Sequence, residues 1–195
     1  GFRDAFLSPS VVRQLSSIVY DLQDISNHQL SAFLRRSFVY YDTIEQKVAF
    51  IQQHHAPLRR SIGASTLKFA LEMLEEESVV YDQAPNVLTH HEYFSQHFFK
   101  SKNVIRVIDW ESVGWATPMR DFATLWMQMS HTPRFQDLVQ DAALRKATAL
   151  RVQDPHTLWR ITLLWNALYT LAVAHHQPGD PAIRSARRVI HNFCP

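Results

Sequence analysis

Asn86-Val87-Leu88-Thr89-His90 and Val104-Ile105-Arg106-Val107-Ile108-Asp109 are short apolar runs rich in β-branched residues, set in a chain whose other periodicity is helical. Between them, His97-Phe98-Phe99-Lys100 reads as another strand and residues 100–103 as a turn. Strands this few and this short cannot form an independent sheet. The expectation is a mainly α fold carrying a small β-ribbon at roughly residues 86–109, laid on a helical body.

Outward from this segment, a small polar residue followed by proline recurs at Ser8-Pro9, Thr132-Pro133, Asp154-Pro155 and Asp180-Pro181. The polar side chain caps free N–H groups, and proline suits the first helical position because no bond is lost there. Val11, Val12, Leu15, Ile18, Val19 and Leu22 then follow at helical spacing. After Asp154 the apolar residues Leu158, Ile161, Trp165, Leu168 and Leu171 have apolar neighbours on other faces too, which predicts the buried centre of a bundle. Arg184, Arg187 and Arg188 on the last helix read as a solvated face. Two more helices are predicted, at Thr43–His54, opened by the capping box Thr43-x-x-Gln46, and at Ser65–Glu77, ending in an acidic run.

Composition narrows the function classes. The 195 residues are 46% hydrophobic and 19% charged, as in a globular domain. Gly1, Gly63, Gly114 and Gly179 are the only glycines, and none lie close together, which excludes G-x-G-x-x-G and Walker A phosphate loops. Cys194 stands alone, so an internal disulfide and a Cys-rich metal centre are excluded, and a reducing, cytoplasmic setting is expected. A net charge of +2 gives no reason to expect nucleic acid or a membrane surface as partner. The apolar run Ile161–Ala174 is too short to span a bilayer and contains Asn166. The start at Gly1 has no signal-peptide pattern, and a first residue other than Met suggests a piece of a longer chain.

The chemistry is expected where the ribbon meets the helices, among His90, His91, Glu92, His97, Asp109 and Glu111. Asp109, at a strand end before Trp110-Glu111 and Gly114, is placed either to hold a cation or to cap a turn. A metal hydrolase built from these histidines ranks last, because His91-Glu92 and His97 do not have H-E-x-x-H spacing. Adjacent histidines also occur at His54-His55 and His175-His176, which makes such pairs unremarkable in this chain. Among the tryptophans, Trp110 and Trp115 flank the candidate cleft, with a core role favoured for both.

The segment from Thr89 through Glu111 resembles the catalytic segment of the aminoglycoside phosphotransferase and choline kinase family, whose fold is that of the protein kinases. His90-His91-Glu92, four residues, and His97 match that family's His-Gly-Asp, four residues, Asn. Val107-Ile108-Asp109-Trp110-Glu111 matches its Ile-Asp-Trp/Phe-Glu, and Pro118-Met119-Arg120-Asp121-Phe122-Ala123 is similar to its Pro-x-x-Asp-Leu-Ala. The resemblance implies that residues 1–195 form a single C-terminal lobe, with the nucleotide-binding N-terminal lobe outside this chain. It implies ATP and Mg²⁺ as cofactors and a small-molecule acceptor, for which a cationic one suits the acidic cleft. Glu92 stands at the catalytic Asp, in a loop braced by His90 and Asp121. Asp109 and His97 stand at the metal positions, with Glu111 as an outer ligand.

Three positions depart from the pattern. Glu92 carries one methylene more than Asp, about 1.5 Å of extra reach. His97 replaces an oxygen ligand with an imidazole, and His91 fills a glycine position. The expected activity is ATP-dependent phosphorylation of a hydroxyl, negligible for the isolated chain. The alternative is a degenerate lobe that binds a ligand or a protein without catalysis.

Overall fold

The computed structural model describes residues 8–25, 43–102, 104–129, 131–173 and 181–194. Helix α1 (Pro9–Gln23) starts as its sequence predicts, with the Ser8 hydroxyl accepting the Val11 N–H at 3.3 Å and Pro9 in the first turn. Its stripe of Val11, Val12, Leu15, Val19 and Leu22 is buried. Helix α2 (Ile44–Gln53) opens on the reciprocal pair of Thr43 and Gln46, each backbone N–H donating to the other's side chain at 3.2 Å. The helix predicted at Ser65–Glu77 is found as α4 (Ala64–Glu76), flanked by α3 (His55–Ile62) and α5 (Ser78–Asp82), two helices that the sequence reading did not predict.

Two short ribbons replace the single one expected. β2 (Phe98–Ser101) and β3 (Val104–Val107) form an antiparallel hairpin with Phe98 opposite Val107. β1 (Val87–Thr89) pairs instead with β4 (Gly114–Ala116), Thr89 opposite Gly114. No strand is predicted at β4, because three residues led by glycine carry no strand signal of their own. This topology positions the site. Loop 90–97 leaves β1 and enters β2, while loop 108–113 leaves β3 and enters β4. Because the same two ladders hold both pairs of ends, the loops must run side by side. The Ile108 N–H donates to the His97 carbonyl at 3.0 Å where they meet.

Helices α6 (Arg120–Gln128), α7 (Pro133–Ala149), α8 (Pro155–Val173) and α9 (Pro181–Phe193) complete the body. Helix α8 is its axis, packed against α2, α3, α4, α5, α6, α7 and α9, and its burial on several faces matches its apolar residues on several faces. Asp154 caps it by accepting the Thr157 N–H at 3.0 Å. Thr132 does not cap α7 with its side chain; its backbone carbonyl takes the first N–H groups instead. The Asp180 cap and His175-His176 lie outside the described residues. Among the described residues no helix is long and apolar enough to cross a membrane.

Candidate functional site

Loop 90–97 hangs on a buried carboxylate. Asp121, in the first turn of α6, accepts the backbone N–H of His90 at 2.7 Å and of His91 at 3.0 Å. All three residues are buried. Burial pushes the Asp121 pKa up to about 6, with the two N–H donors and Arg120 pulling against it. This is the bracing role that the resemblance implies. His91 has φ of 65°, in the left-handed region where a side chain is strained and glycine is not. That is the physical reason a glycine suits this position. The His91 ring is driven to a pKa of about 2, first by burial and then by Arg120, Lys47 and His90, so it is neutral.

His90 joins the two loops. Its Nε2 donates to the Ile108 carbonyl at 2.9 Å, while Nδ1 is buried without a hydrogen-bond partner. Burial lowers its pKa despite the Ile108 carbonyl, which acts the other way. Tyr93 and Gln128 secure the middle of the loop: the Tyr93 hydroxyl donates to the Leu15 carbonyl at 2.8 Å, and Gln128 Nε2 donates to the Tyr93 carbonyl at 2.7 Å. Sequence reading did not single out these two, because a lone tyrosine or glutamine at such positions carries no motif.

Of the residues named from sequence, Glu92, His97 and Asp109 come together, each offering a ligand atom within 4.8 Å of the other two. His97 Nδ1 donates to the Glu92 carbonyl at 2.7 Å, which leaves Nε2 facing Asp109 Oδ2 at 3.1 Å. Asp109 sits in the left-handed region, with φ of 65°, just beyond the end of β3. That turn aims its carboxylate back at the loop. Glu111 is exposed on the short 3-10 turn Trp110–Ser112 and is not part of this trio. His90 is not part of it either. Phe94, Phe99, Ile108 and Trp110 are exposed on the same two loops and the hairpin. The core role favoured for Trp110 is thereby corrected: its indole N–H reaches the Val107 carbonyl at 2.9 Å, while the ring faces solvent and the edge of His90. Trp115 packs against Leu22, Leu88 and Val113.

The donor set can be compared with Mg²⁺, which asks for oxygen ligands in octahedral array. Asp109 and Glu92 fit that requirement, and the imidazole of His97 does not. As a set these residues do not match Mg²⁺.

No protein of curated function matches the chain in sequence. Among solved structures, the choline kinase LicA of Streptococcus pneumoniae superposes with a TM-score of 0.60 at 16% identity, over 95% of this chain and 64% of that one. The ADP-bound aminoglycoside phosphotransferase APH(2'')-Ib gives 0.57 at 11% identity, over 95% and 65%. The streptomycin–ATP ternary complex of APH(2'')-IIa gives 0.57 at 11% identity, over 96% and 64%. The chain thus shares their fold and spans about two thirds of their length. The model of the phosphotransferase enzyme family matches residues 9–185, across both loops and the helices on either side, and the chain therefore belongs to that family.

Proposed function

We propose that this chain is the acceptor-side lobe of an ATP-dependent phosphotransferase that phosphorylates a hydroxyl on a small molecule. The observation that carries the reading is the convergence of the Glu92 and Asp109 carboxylates on two loops, the first of them hung from a buried Asp121. The half-buried Glu92 carboxylate is the group suited to receive the acceptor's proton. As the acceptor oxygen bonds to the γ-phosphorus, the bridging P–O bond breaks, ADP leaves, and the hydroxyl proton passes to Glu92. The two carboxylates of the trio suit a cationic acceptor, in keeping with the choline and aminoglycoside kinases among the structural neighbours. The chain covers about 64% of those proteins, so the other wall of the nucleotide cleft is proposed to lie outside residues 1–195. A cytoplasmic setting, where ATP is abundant, belongs to the same proposal.

A second reading, a lobe that binds without transferring phosphate, is supported by His97 and His91 standing where oxygen-ligand and glycine chemistry is expected. One assay separates the two. Acceptor-dependent release of ADP is measured with the full natural polypeptide, using choline-like and amino-sugar acceptors. Turnover that falls at least 100-fold in Glu92→Gln supports transfer, a loss in the range general-base catalysis provides. Nucleotide or acceptor binding with no turnover above background supports the binding module.

A further inference from the structure

The mismatch with Mg²⁺ is specific enough to point to another ion. His97 is nine-tenths buried, its side chain 9% exposed, and its Nδ1–H is committed to the Glu92 carbonyl at 2.7 Å. A ring nitrogen held this way fixes the tautomer and presents Nε2 as a bare lone pair, the arrangement typical of a metal-ligating histidine. That lone pair lies 3.1 Å from Asp109 Oδ2, while the Gln96 amide reaches it only at 3.4 Å. Two acceptors this close repel unless a proton or a cation joins them. With metal–ligand bonds of about 2.1 Å, a separation of 3.1 Å subtends roughly 95° at the ion. That is close to the right angle between neighbouring ligands of an octahedron and well short of the tetrahedral angle. Half-buried Glu92 belongs to the same cluster, in which one ligand atom from each of the three residues lies within 4.8 Å of the others, and a side-chain swing that brings one of its carboxylate oxygens to the ion completes a three-ligand face and leaves the other oxygen free.

We infer that Glu92, His97 and Asp109 form a site for a six-coordinate first-row divalent ion that accepts imidazole, of the Mn²⁺, Fe²⁺ and Co²⁺ class, with Mg²⁺ the weaker guest. Solvent or a bound ligand's oxygens fill the remaining positions. The site needs no phosphoryl donor, so it stands or falls apart from the activity proposed above.

The test is metal binding by the whole chain without nucleotide. Co²⁺ is titrated by its visible absorption, Mn²⁺ by the electron-spin signal of the free ion, and Mg²⁺ by competition against Mn²⁺. The expected result is tighter binding of Co²⁺ and Mn²⁺ than of Mg²⁺. His97→Asn should weaken Co²⁺ at least about tenfold, the scale on which metal-site substitutions act, and change Mg²⁺ less than about threefold. His55→Asn and His156→Asn, both exposed and distant in sequence, control for binding at surface histidines. Should His97→Asn fail to fold, judged by its melting curve, Asp109→Asn at the partly exposed partner carries the same test for Co²⁺. Three results would overturn the assignment: Co²⁺ affinity unchanged in these variants, Mg²⁺ binding as tightly as Mn²⁺, or no Co²⁺ binding while nitrogen-15 spectra show His97 protonated on both ring nitrogens at neutral pH.

Discussion

Replacing Asp121 with alanine tests the brace on which the site depends. The substitution removes the acceptors of the His90 and His91 N–H groups, held at 2.7 and 3.0 Å, in a place where all three residues are buried. Each buried donor left without a partner costs about 1 to 3 kcal/mol, or about 2 to 6 kcal/mol for the pair. The native carboxylate carries an opposing cost. Its pKa is raised from 3.8 to about 6, mainly by burial, so at neutral pH its ionised form costs on the order of 3 kcal/mol. Alanine relieves that cost, leaving a net change at pH 7 between about 1 kcal/mol of stabilisation and about 3 kcal/mol of destabilisation, the latter about 6 to 12 °C in a chain of this size. The sign of the pH dependence follows from linkage. Between pH 6 and 3.8 the folded state holds a proton that the unfolded state has released, so Asp121 makes the native protein more stable as pH falls through that window. Alanine lacks this gain, so its deficit should grow by about 2 to 3 kcal/mol from pH 7 to pH 4. Urea unfolding of both proteins at the two pH values measures it. A deficit that shrinks in acid, or a variant as stable as the parent at both pH values, would refute the brace.

Other outcomes follow from the same structure. In the Asp121→Asn background acid should destabilise the fold steadily below pH 6.5, because buried His91, with its pKa near 2, refuses a proton that the unfolded chain accepts; this term alone costs about 2 kcal/mol at pH 5, read from urea midpoints across pH. Thr43→Ala should cost about 1 kcal/mol by breaking the capping box of α2, and Thr43→Asn should restore most of it in the same melt. Leu164→Ala, a fully buried site on the axial helix α8, should cost about 2 to 5 kcal/mol with no change in metal affinity at the loops. Tyr93→Phe, which removes the bond from loop 90–97 to the Leu15 carbonyl while that carbonyl keeps its partner within α1, should cost about 0.5 to 1.5 kcal/mol, seen as faster amide exchange in the loop.

The amino-acid sequence by itself determined the parts of this protein whose physics is local. A cap and a proline start α1 and α8 because both act within one turn of the helix. The apolar residues on several faces of α8 announce an axis, since they leave little polar surface for water. The order of His90, Glu92, His97, Asp109 and Asp121 carried the likeness to the phosphotransferases, and all but His90 and Asp121 meet in one cluster, which those two support. Only the tertiary structure decided the rest. β1 chose β4 over the nearer hairpin strands, and α3 and α5 formed where no helix was predicted, because pairing and packing reward contacts that no short window contains. The left-handed turn at His91, the exposure of Trp110 and the ring of His97 held by the Glu92 carbonyl are settled the same way. Each depends on a partner brought in from elsewhere along the chain or on space left by packing. A residue's type sets the bonds it is able to make, and the fold alone sets which of them it makes.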